Sequence, residues 1–495
     1  MAKFKGRGLE PGDEGRLLRI LLEENPWWDT GQVEARMLPE FHRRDFYKLR
    51  DAFEEKPITA IVGPRQVGKT TVMYQLIADL LGKGVAPENI MFLALDFPRL
   101  KQVDADPLSA AIELYLDEIV EMPLRSLRTR TYFFFDEVTK APNWAETLKG
   151  WYDRKAPVKF FISDSSEPQV QSGTNSALIG RCSTRLMLPM KFVDYVMYKE
   201  GRELWNEVGL RLRDGLVVAI KTGDPAPFYE GASEARRRLR SNYRAAALHL
   251  RHYLLKDGFP EILDSDAWDA IGRRLREYVS LIFARDLLAH FKVRDPRALD
   301  ELTALIADQT AQRFDYAGLA ANAGISVDAT KEYLHYLEAT YLVSTSEFFA
   351  GSRAARLKKQ RKLYLSNVGL GNALAGRLTP TLFHDGPSLG RVVETLVHDH
   401  CRRLLFTTGS QQASQLFYWR NYRGQEVDIV MKVLNRPVPL EVKYQPRITS
   451  ADLGPALDFL EEFPKSPFGI VVTKETLERR GRVVLVPAPL FLLAV

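Results

Sequence analysis

Cysteine is nearly absent from this chain of 495 residues, where Cys182 and Cys401 are the only two. Two thiols exclude a disulfide framework and a Cys-rich zinc site, and they suit a reducing compartment. Long apolar runs are missing as well: no window approaches the ~18 uninterrupted apolar residues of a membrane span. The start, Met1-Ala-Lys-Phe-Lys-Gly-Arg7, has no apolar stretch behind its charges. A cytoplasmic protein with no membrane contact is therefore expected. Low-complexity tracts and internal repeats are lacking too. With 45% hydrophobic and 27% charged residues, disorder is expected only at the termini. A net charge of +6 permits nucleic-acid binding without demanding it. The length exceeds a single core at roughly 100–200 residues per domain, so two to four domains are expected.

Against these absences one segment stands out. Ile58-Thr-Ala-Ile-Val62 is an apolar, β-branched run of strand length, and it leads into Gly63-Pro64-Arg65-Gln66-Val67-Gly68-Lys69-Thr70. From Thr71 to Leu81, Val72, Met73, Leu76, Ile77, Leu80 and Leu81 recur at helical spacing. The pattern G-x-x-x-x-G-K-T thus lies between a buried strand and a helix N-terminus, as a P-loop must. Its glycines let successive N–H groups face phosphate oxygens, Lys69 reaches the β/γ-phosphates, and Thr70 ligates Mg²⁺. ATP and Mg²⁺ are the expected cofactors, with residues 63–71, including Thr71, as the cradle.

Tyr132-Phe-Phe-Phe-Asp136-Glu137 supplies the second element of such a site, a buried strand ending in carboxylates. Asp136 is expected to hold Mg²⁺, and Glu137 to polarise the attacking water. A third parallel strand, Val158–Ser163, ends in Asp164-Ser165-Ser166, where Ser165 is the candidate sensor of the γ-phosphate. The order of P-loop, Asp-Glu strand, Pro142-Asn-Trp144, serine-ended strand, Gly180-Arg181 and Leu188-Pro-Met-Lys-Phe192 resembles a prokaryotic AAA-family ATPase group with a nuclease-like C-terminal domain. Asn25-Pro-Trp-Trp28 and Gly258-Phe-Pro260 extend the resemblance over nearly the whole chain. It departs from the family's usual glycine at Asp164 and its usual aspartate at Asn367. The resemblance implies an arginine finger acting in trans, for which Arg181 is the candidate and Arg185 the reserve. A plain surface ion pair is the other reading of each. A finger in trans implies a homo-oligomer, a closed or open ring.

Residues 196–295 read as helical and charged, a lid or plain helical packing, with Val279, Leu281, Ile282, Leu287 and Leu288 as apolar anchors near Arg285-Asp286. Phe314–Ser326 followed by Val327–Tyr341 reads as helix, Gly324 turn and second helix capped by Ser326, a winged-helix-like pattern. The second helix carries Asp328, Lys331, Glu332 and His335, a mixed-sign face poorly suited to base reading. Two basic clusters are candidate DNA-backbone contacts: Arg236, Arg237, Arg238, Arg240 and Arg244, and Arg353, Arg356, Lys358, Lys359, Arg361 and Lys362. Solvated faces or protein contacts are the other reading.

The C-terminal stretch places Glu394 on an amphipathic helix, followed by the strand Phe417-Tyr-Trp419. Glu426–Val433 and Val438–Tyr444 then alternate with period two around Asn435-Arg436-Pro437. Closed as a hairpin with an even loop, the two strands set Asp428 opposite Lys443 and diagonal to Glu441. Two carboxylates would bind Mg²⁺ while Lys443 activates water. This resembles the restriction-endonuclease-like D…E-x-K core, with Glu394 as its helical acid. Glu394, Asp428 and Glu441 are thus the candidate metal ligands, and Asp428, Glu441 and Lys443 the candidate catalytic residues. His398 and His400 read as surface residues. The expected architecture is multi-domain α/β: an N-terminal lead-in (1–45), a parallel-sheet P-loop AAA ATPase core (46–195), a helical lid (196–295), a winged-helix-like module (296–375) and a restriction-endonuclease-like α/β domain (376–495). The expected function is ATP hydrolysis coupled to DNA binding or processing; the rival is a nucleotide-driven switch with a silent C-terminal domain that binds a protein.

Overall fold

The computed structural model describes residues 12–102, 106–165, 177–201, 203–288, 291, 293–352, 355–356, 359–407 and 416–495. Ser166, Arg353 and Lys358, named above, lie outside the described residues. The chain divides into two compact units, Met1–Leu188 and Pro189–Val495.

In the first unit, five parallel strands form one sheet: β1 (Ile58–Val62), β2 (Ile90–Ala94), β3 (Thr131–Asp136), β4 (Val158–Asp164) and β5 (Cys182–Leu186), in the order β2-β3-β4-β1-β5. Parallel strands are covered on both faces, which is why they read as unbroken apolar runs. Phe133, Phe134 and Phe135 are fully buried, and so are Ile58, Ile61 and Val62. The P-loop strand β1 lies between β4 and β5, so the carboxyl end of β3 is one strand removed from it. The helix Lys69–Gly82 starts directly after Gly68.

Asn25-Pro-Trp-Trp28 protects the β2 edge of this sheet. The Asn25 amide nitrogen donates to Phe92 O (2.9 Å) while its oxygen accepts from Phe92 N (2.6 Å). Both indole N–H groups, of Trp27 and Trp28, donate to Ile90 O at 3.0 and 2.8 Å. An edge strand left bare would invite pairing with another chain, and these side chains occupy its hydrogen-bonding groups.

The second unit begins with helices Phe192–Glu200, Glu203–Thr222, Ala226–Lys256 and Trp268–Leu281. Next come the helix Pro296–Asp308, β6 (Gln312–Phe314), the helices Tyr316–Ala323 and Val327–Ala339, β7 (Val343–Phe348) and β8 (Arg361–Leu365). The turn falls at Gly324 (φ 67°), and the Ser326 hydroxyl accepts from Ala329 N, as the spacing predicts. These strands do not close on themselves. β7 runs parallel to β9 (Leu416–Arg420), which joins them to β10 (Glu426–Val433), β11 (Arg436–Lys443), β12 (Gly469–Thr473), β13 (Glu478–Arg480) and β14 (Val483–Pro487). The result is a nine-stranded mixed sheet, β13-β14-β12-β11-β10-β9-β7-β8-β6. Phe417, Trp419, Val427, Val430 and Phe459 form a buried cluster on it.

The β10–β11 hairpin corrects the predicted register. Val433 pairs with Arg436 and Ile429 with Leu440, so the turn is the two residues Leu434 and Asn435, both at positive φ (51° and 62°). A two-residue turn with both central residues left-handed matches the twist of the strands it joins. The loop is even, as expected, but the pairing lies two residues from the expected one, which sets Asp428 beside Glu441 rather than opposite Lys443. Because side chains alternate with period two, the same face is kept.

Candidate functional site

The P-loop is shaped by close backbone approach. A Cβ at Gly63 would lie 1.8 Å from the Met187 carbonyl oxygen, so only glycine fits where β1 ends. Gln66 (φ 65°) and Gly68 (φ 92°) curl the loop into the helix. Arg43, buried and unremarked in the sequence, braces it by donating to Val67 O (2.9 Å) and Leu188 O (2.7 Å). Lys69 Nζ folds back onto the loop carbonyls of Gly63 (2.8 Å) and Pro64 (3.1 Å). Thr71 continues the first helical turn.

Three chain segments meet at Asp136. Thr70 Oγ1 donates to Asp136 Oδ2 at 2.5 Å, and Ser163 Oγ donates to the other carboxylate oxygen. Burial raises the Asp136 carboxyl above its ordinary range, and the two hydroxyl donors pull it back down. Glu137 sits in the left-handed region (φ 51°), and its N–H donates to Ser163 Oγ at 3.3 Å. Non-glycine residues held there are strained, and such strain concentrates at functional positions. The Glu137 side chain meets Ser165 Oγ (3.2 Å) and Arg65 Nη2 (3.5 Å) at Oε2. Asp164 accepts from Thr139 N (3.1 Å) and Thr139 Oγ1 (2.5 Å), so it ties the ends of β3 and β4 together. Sequence reading missed Ser163 because it lies inside an apolar strand.

The C-terminal carboxylates also converge, but around a cation of the chain's own. Lys362 Nζ lies 2.8 Å from Glu394 Oε1, 2.8 Å from Glu426 Oε1 and 3.3 Å from Asp428 Oδ1. Tyr364 OH donates to Glu394 Oε1 (3.0 Å), Val442 N to Asp428 Oδ2 (2.9 Å), and Lys443 Nζ to Glu441 Oε1 (2.6 Å). Burial pushes the Glu394 carboxyl up to about 7, with Asp428 adding to the effect. Burial and Asp428 likewise hold the Glu441 carboxyl well above the usual range. For Lys362 burial acts downward, yet Glu394 and its neighbours outweigh it and hold the ammonium well above the ordinary lysine value.

Two sequence readings are thereby corrected. Lys362 is 2% exposed, so it is no member of a surface basic cluster; its strand position points it at the carboxylates. His398 and His400 are 2% and 0% exposed rather than superficial. His398 Nε2 shares a hydrogen bond with Ser346 Oγ (2.9 Å) and its ring stacks on Tyr364, while His400 Nε2 accepts from Phe192 N (3.1 Å). Burial drives both imidazoles down to about 3, so they are neutral packing groups.

Residues 55–196 match the family described as AAA domain. The nucleotide site belongs to an AAA-type P-loop domain. Residues 247–381 and 389–491 match two further families, each described as a domain of unknown function. Uncharacterized proteins of Mycobacterium tuberculosis and Mycobacterium bovis are each 25% identical over 405 residues, covering 80% of this chain and 72% of theirs. One of Methanocaldococcus jannaschii is 22% identical over 394 residues, covering 78% and 75%. Among solved structures, the ADP form of Aeropyrum pernix ORC2 aligns over 72% of this chain and 100% of its own at 13% identity, with a TM-score of 0.32. The ORC1 protein of that organism, in complex with DNA, aligns over 71% and 96% at 11% identity, with a TM-score of 0.27.

Within the AAA domain, the two finger candidates are both engaged. Arg181 makes a bidentate pair with Asp153 (2.8 and 3.2 Å), and Arg185 pairs with both Glu55 oxygens (2.9 and 3.1 Å). Outside it, Arg236, Arg237, Arg238, Arg240 and Arg244 are exposed on the helix Ala226–Lys256. Arg238 is held by Glu207 at 2.8 and 2.9 Å, and Arg236 donates to Glu475 O (3.3 Å). In the second cluster Arg356 and Arg361 lie 3.9 and 3.7 Å from Glu347. Among the described residues no helix is long and apolar enough to cross a membrane.

Proposed function

We propose that the chain binds and hydrolyses ATP and uses the cycle to change its hold on DNA. The observation that carries the ATPase reading is the meeting of Thr70, Asp136 and Ser163, with Glu137 one residue beyond. The residues present fit Mg²⁺-ATP: a glycine-shaped loop, a lysine at its mouth, and a hydroxyl already bonded to a buried carboxylate. Thr70 and Asp136 would hold the metal, which supplies charge neutralisation on the β/γ-phosphates when bound. Residues 63–71 would bind the phosphates through backbone N–H groups, Lys69 would leave the loop carbonyls for phosphate oxygens, and Glu137 would orient water.

Ser165, whose hydroxyl donates to the Glu137 carboxylate, would report on the γ-phosphate through it. Arg181 would act on the nucleotide of a neighbouring copy once released from Asp153, making the working form a homo-oligomer. The exposed arginines of residues 236–244 favour a DNA backbone as partner, because cations clustered along this kinked helical segment repel one another beyond what the Glu207 pairing of Arg238 offsets, until an anion spans them. The mixed-sign helix Val327–Ala339 favours the second reading, a switch that engages a protein.

ATP turnover by wild type, Lys69→Ala and Glu137→Gln tests the first claim; unchanged turnover in both variants would end it. DNA affinity measured between 50 and 200 mM salt tests the second. Loss of about 10³-fold or more is expected if several phosphates are neutralised. Affinity indifferent to salt would favour the protein-binding switch.

A further inference from the structure

The restriction-endonuclease-like reading of the C-terminal domain implies a divalent metal held by Glu394, Asp428 and Glu441. Those residues do come together, but an ammonium of the chain occupies the centre where a dication would sit. Mg²⁺ demands oxygen ligands at about 2.0–2.1 Å in octahedral array and Ca²⁺ at about 2.3–2.6 Å. Here the centre is held by hydrogen bonds of 2.8, 2.8 and 3.3 Å to a buried ammonium. Among the described residues no group of three or more His, Cys, Asp and Glu side chains is arranged to hold a metal ion.

Charge leads to the same place. Four carboxylates, Glu394, Glu426, Asp428 and Glu441, face three cations: Lys362, Lys443 at Glu441, and Arg313 at 3.1 Å from Glu426. Glu441 is 1% exposed, and its Oε2 has no hydrogen-bond partner. Counted as ions, the four acids exceed the three cations by a single charge, so the chain itself compensates most of the cluster. The lysine is also fixed from outside the cluster. It sits on β8, paired with Ser346 of β7 and Arg313 of β6, so the strand pairing delivers it.

We propose that Lys362 is the resident cation of this cluster, standing where a nuclease would hold its metal, so that the chain takes up no divalent ion there while the lysine is in place. This inference is independent of the ATPase reading, since it concerns the chain without nucleotide.

The test is Mn²⁺ uptake by the nucleotide-free full chain, followed as the loss of the free-ion paramagnetic signal, in wild type, Asp428→Asn, Lys362→Ala and the double variant. Wild type and Asp428→Asn should bind Mn²⁺ alike. Lys362→Ala, which removes the ammonium and opens space, should gain about one tight equivalent, roughly tenfold or more above wild type, and lose it in the double variant. The midpoint of its thermal unfolding should fall and then recover with Mn²⁺, whereas the wild-type midpoint should not respond. Wild-type uptake that drops with Asp428→Asn would overturn the proposal, as would a folded Lys362→Ala indifferent to Mn²⁺. Should Lys362→Ala fail to fold, the comparison of wild type with Asp428→Asn decides alone.

Discussion

Two carboxylate clusters in this chain have the same raw materials and opposite fates. Around Asp136 the neighbours are the hydroxyls of Thr70 and Ser163, Glu137 has the Ser165 hydroxyl at 3.2 Å with the Arg65 guanidinium farther off at 3.5 Å, and the nearest lysine turns to loop carbonyls. Hydroxyls satisfy a carboxylate without cancelling its charge, so that cluster keeps its attraction for a metal-bound phosphate. Around Glu394, Asp428 and Glu441 the neighbours are ammonium groups, and the charge is spent internally. On the readings proposed above, what separates the two clusters is the charge on the hydrogen-bond donors, not the number of acids.

The largest effects should break the first cluster. Lys69→Ala is expected to remove nucleotide binding, read by titration with a fluorescent ATP analogue. Glu137→Gln should keep binding and lose about 10²- to 10⁴-fold in turnover, the range for removing a positioned base. If Glu137→Gln lost binding as well, Glu137 would be part of the cradle rather than a group acting on water.

At the second cluster the expected loss is one of stability. Lys362→Met leaves buried carboxylates without their cation, and breaking a buried pair from one side costs about 3–5 kcal/mol. Lys443→Met should cost less, because that side chain is 29% exposed and water can take over part of its role. Urea unfolding of the second unit measures both. Equal and small losses would mean that Lys362 is solvated and the contrast between the clusters is weaker than the geometry indicates.

How much of this was legible in the sequence follows from how local each feature is. The P-loop and its strand are contiguous, so the residue types and their spacing carry the site, and the Asp-Glu strand end follows from burial of four preceding aromatics. Lys362 was misread because its partners come from a distant helix and from β10, while its neighbours in sequence form a charge run. The hairpin register was missed because Leu434 takes a left-handed conformation that its side chain disfavours, and nothing local announces it. Asn25-Pro-Trp-Trp28 was visible only through resemblance; its task, covering the β2 edge, depends on a strand more than sixty residues away.

A smaller effect sharpens the first cluster. Ser165→Ala removes the 3.2 Å bond to Glu137 Oε2, leaving Arg65 at 3.5 Å on that oxygen. A single such bond is worth about 1 kcal/mol, so turnover should change about fivefold with nucleotide affinity kept. Loss of affinity instead would make Ser165 a direct phosphate contact.

The smallest effect is a slope. His398 stacks on Tyr364, which donates to Glu394, and burial holds its imidazole at about 3 in the fold against about 6.5 in the unfolded chain. Between these values the unfolded state binds the extra proton, so stability from this group is complete above pH 6.5 and is lost as pH falls toward 3. Glu394 runs the other way: its folded value of about 7 lies above the unfolded one, so its contribution is complete below about pH 4.5 and is lost as pH rises through 7. The two therefore oppose each other between pH 4.5 and 6.5 and mask one another in the wild-type curve. His398→Gln removes one side of that balance. Relative to wild type, its stability should improve by about 1.4 kcal/mol for each pH unit of acidification across that window. Whatever packing the glutamine loses shifts the whole curve without tilting it, so urea midpoints at pH 6 and pH 5 isolate the proton. Parallel curves would mean that water reaches the ring, and with it the cluster that Lys362 closes.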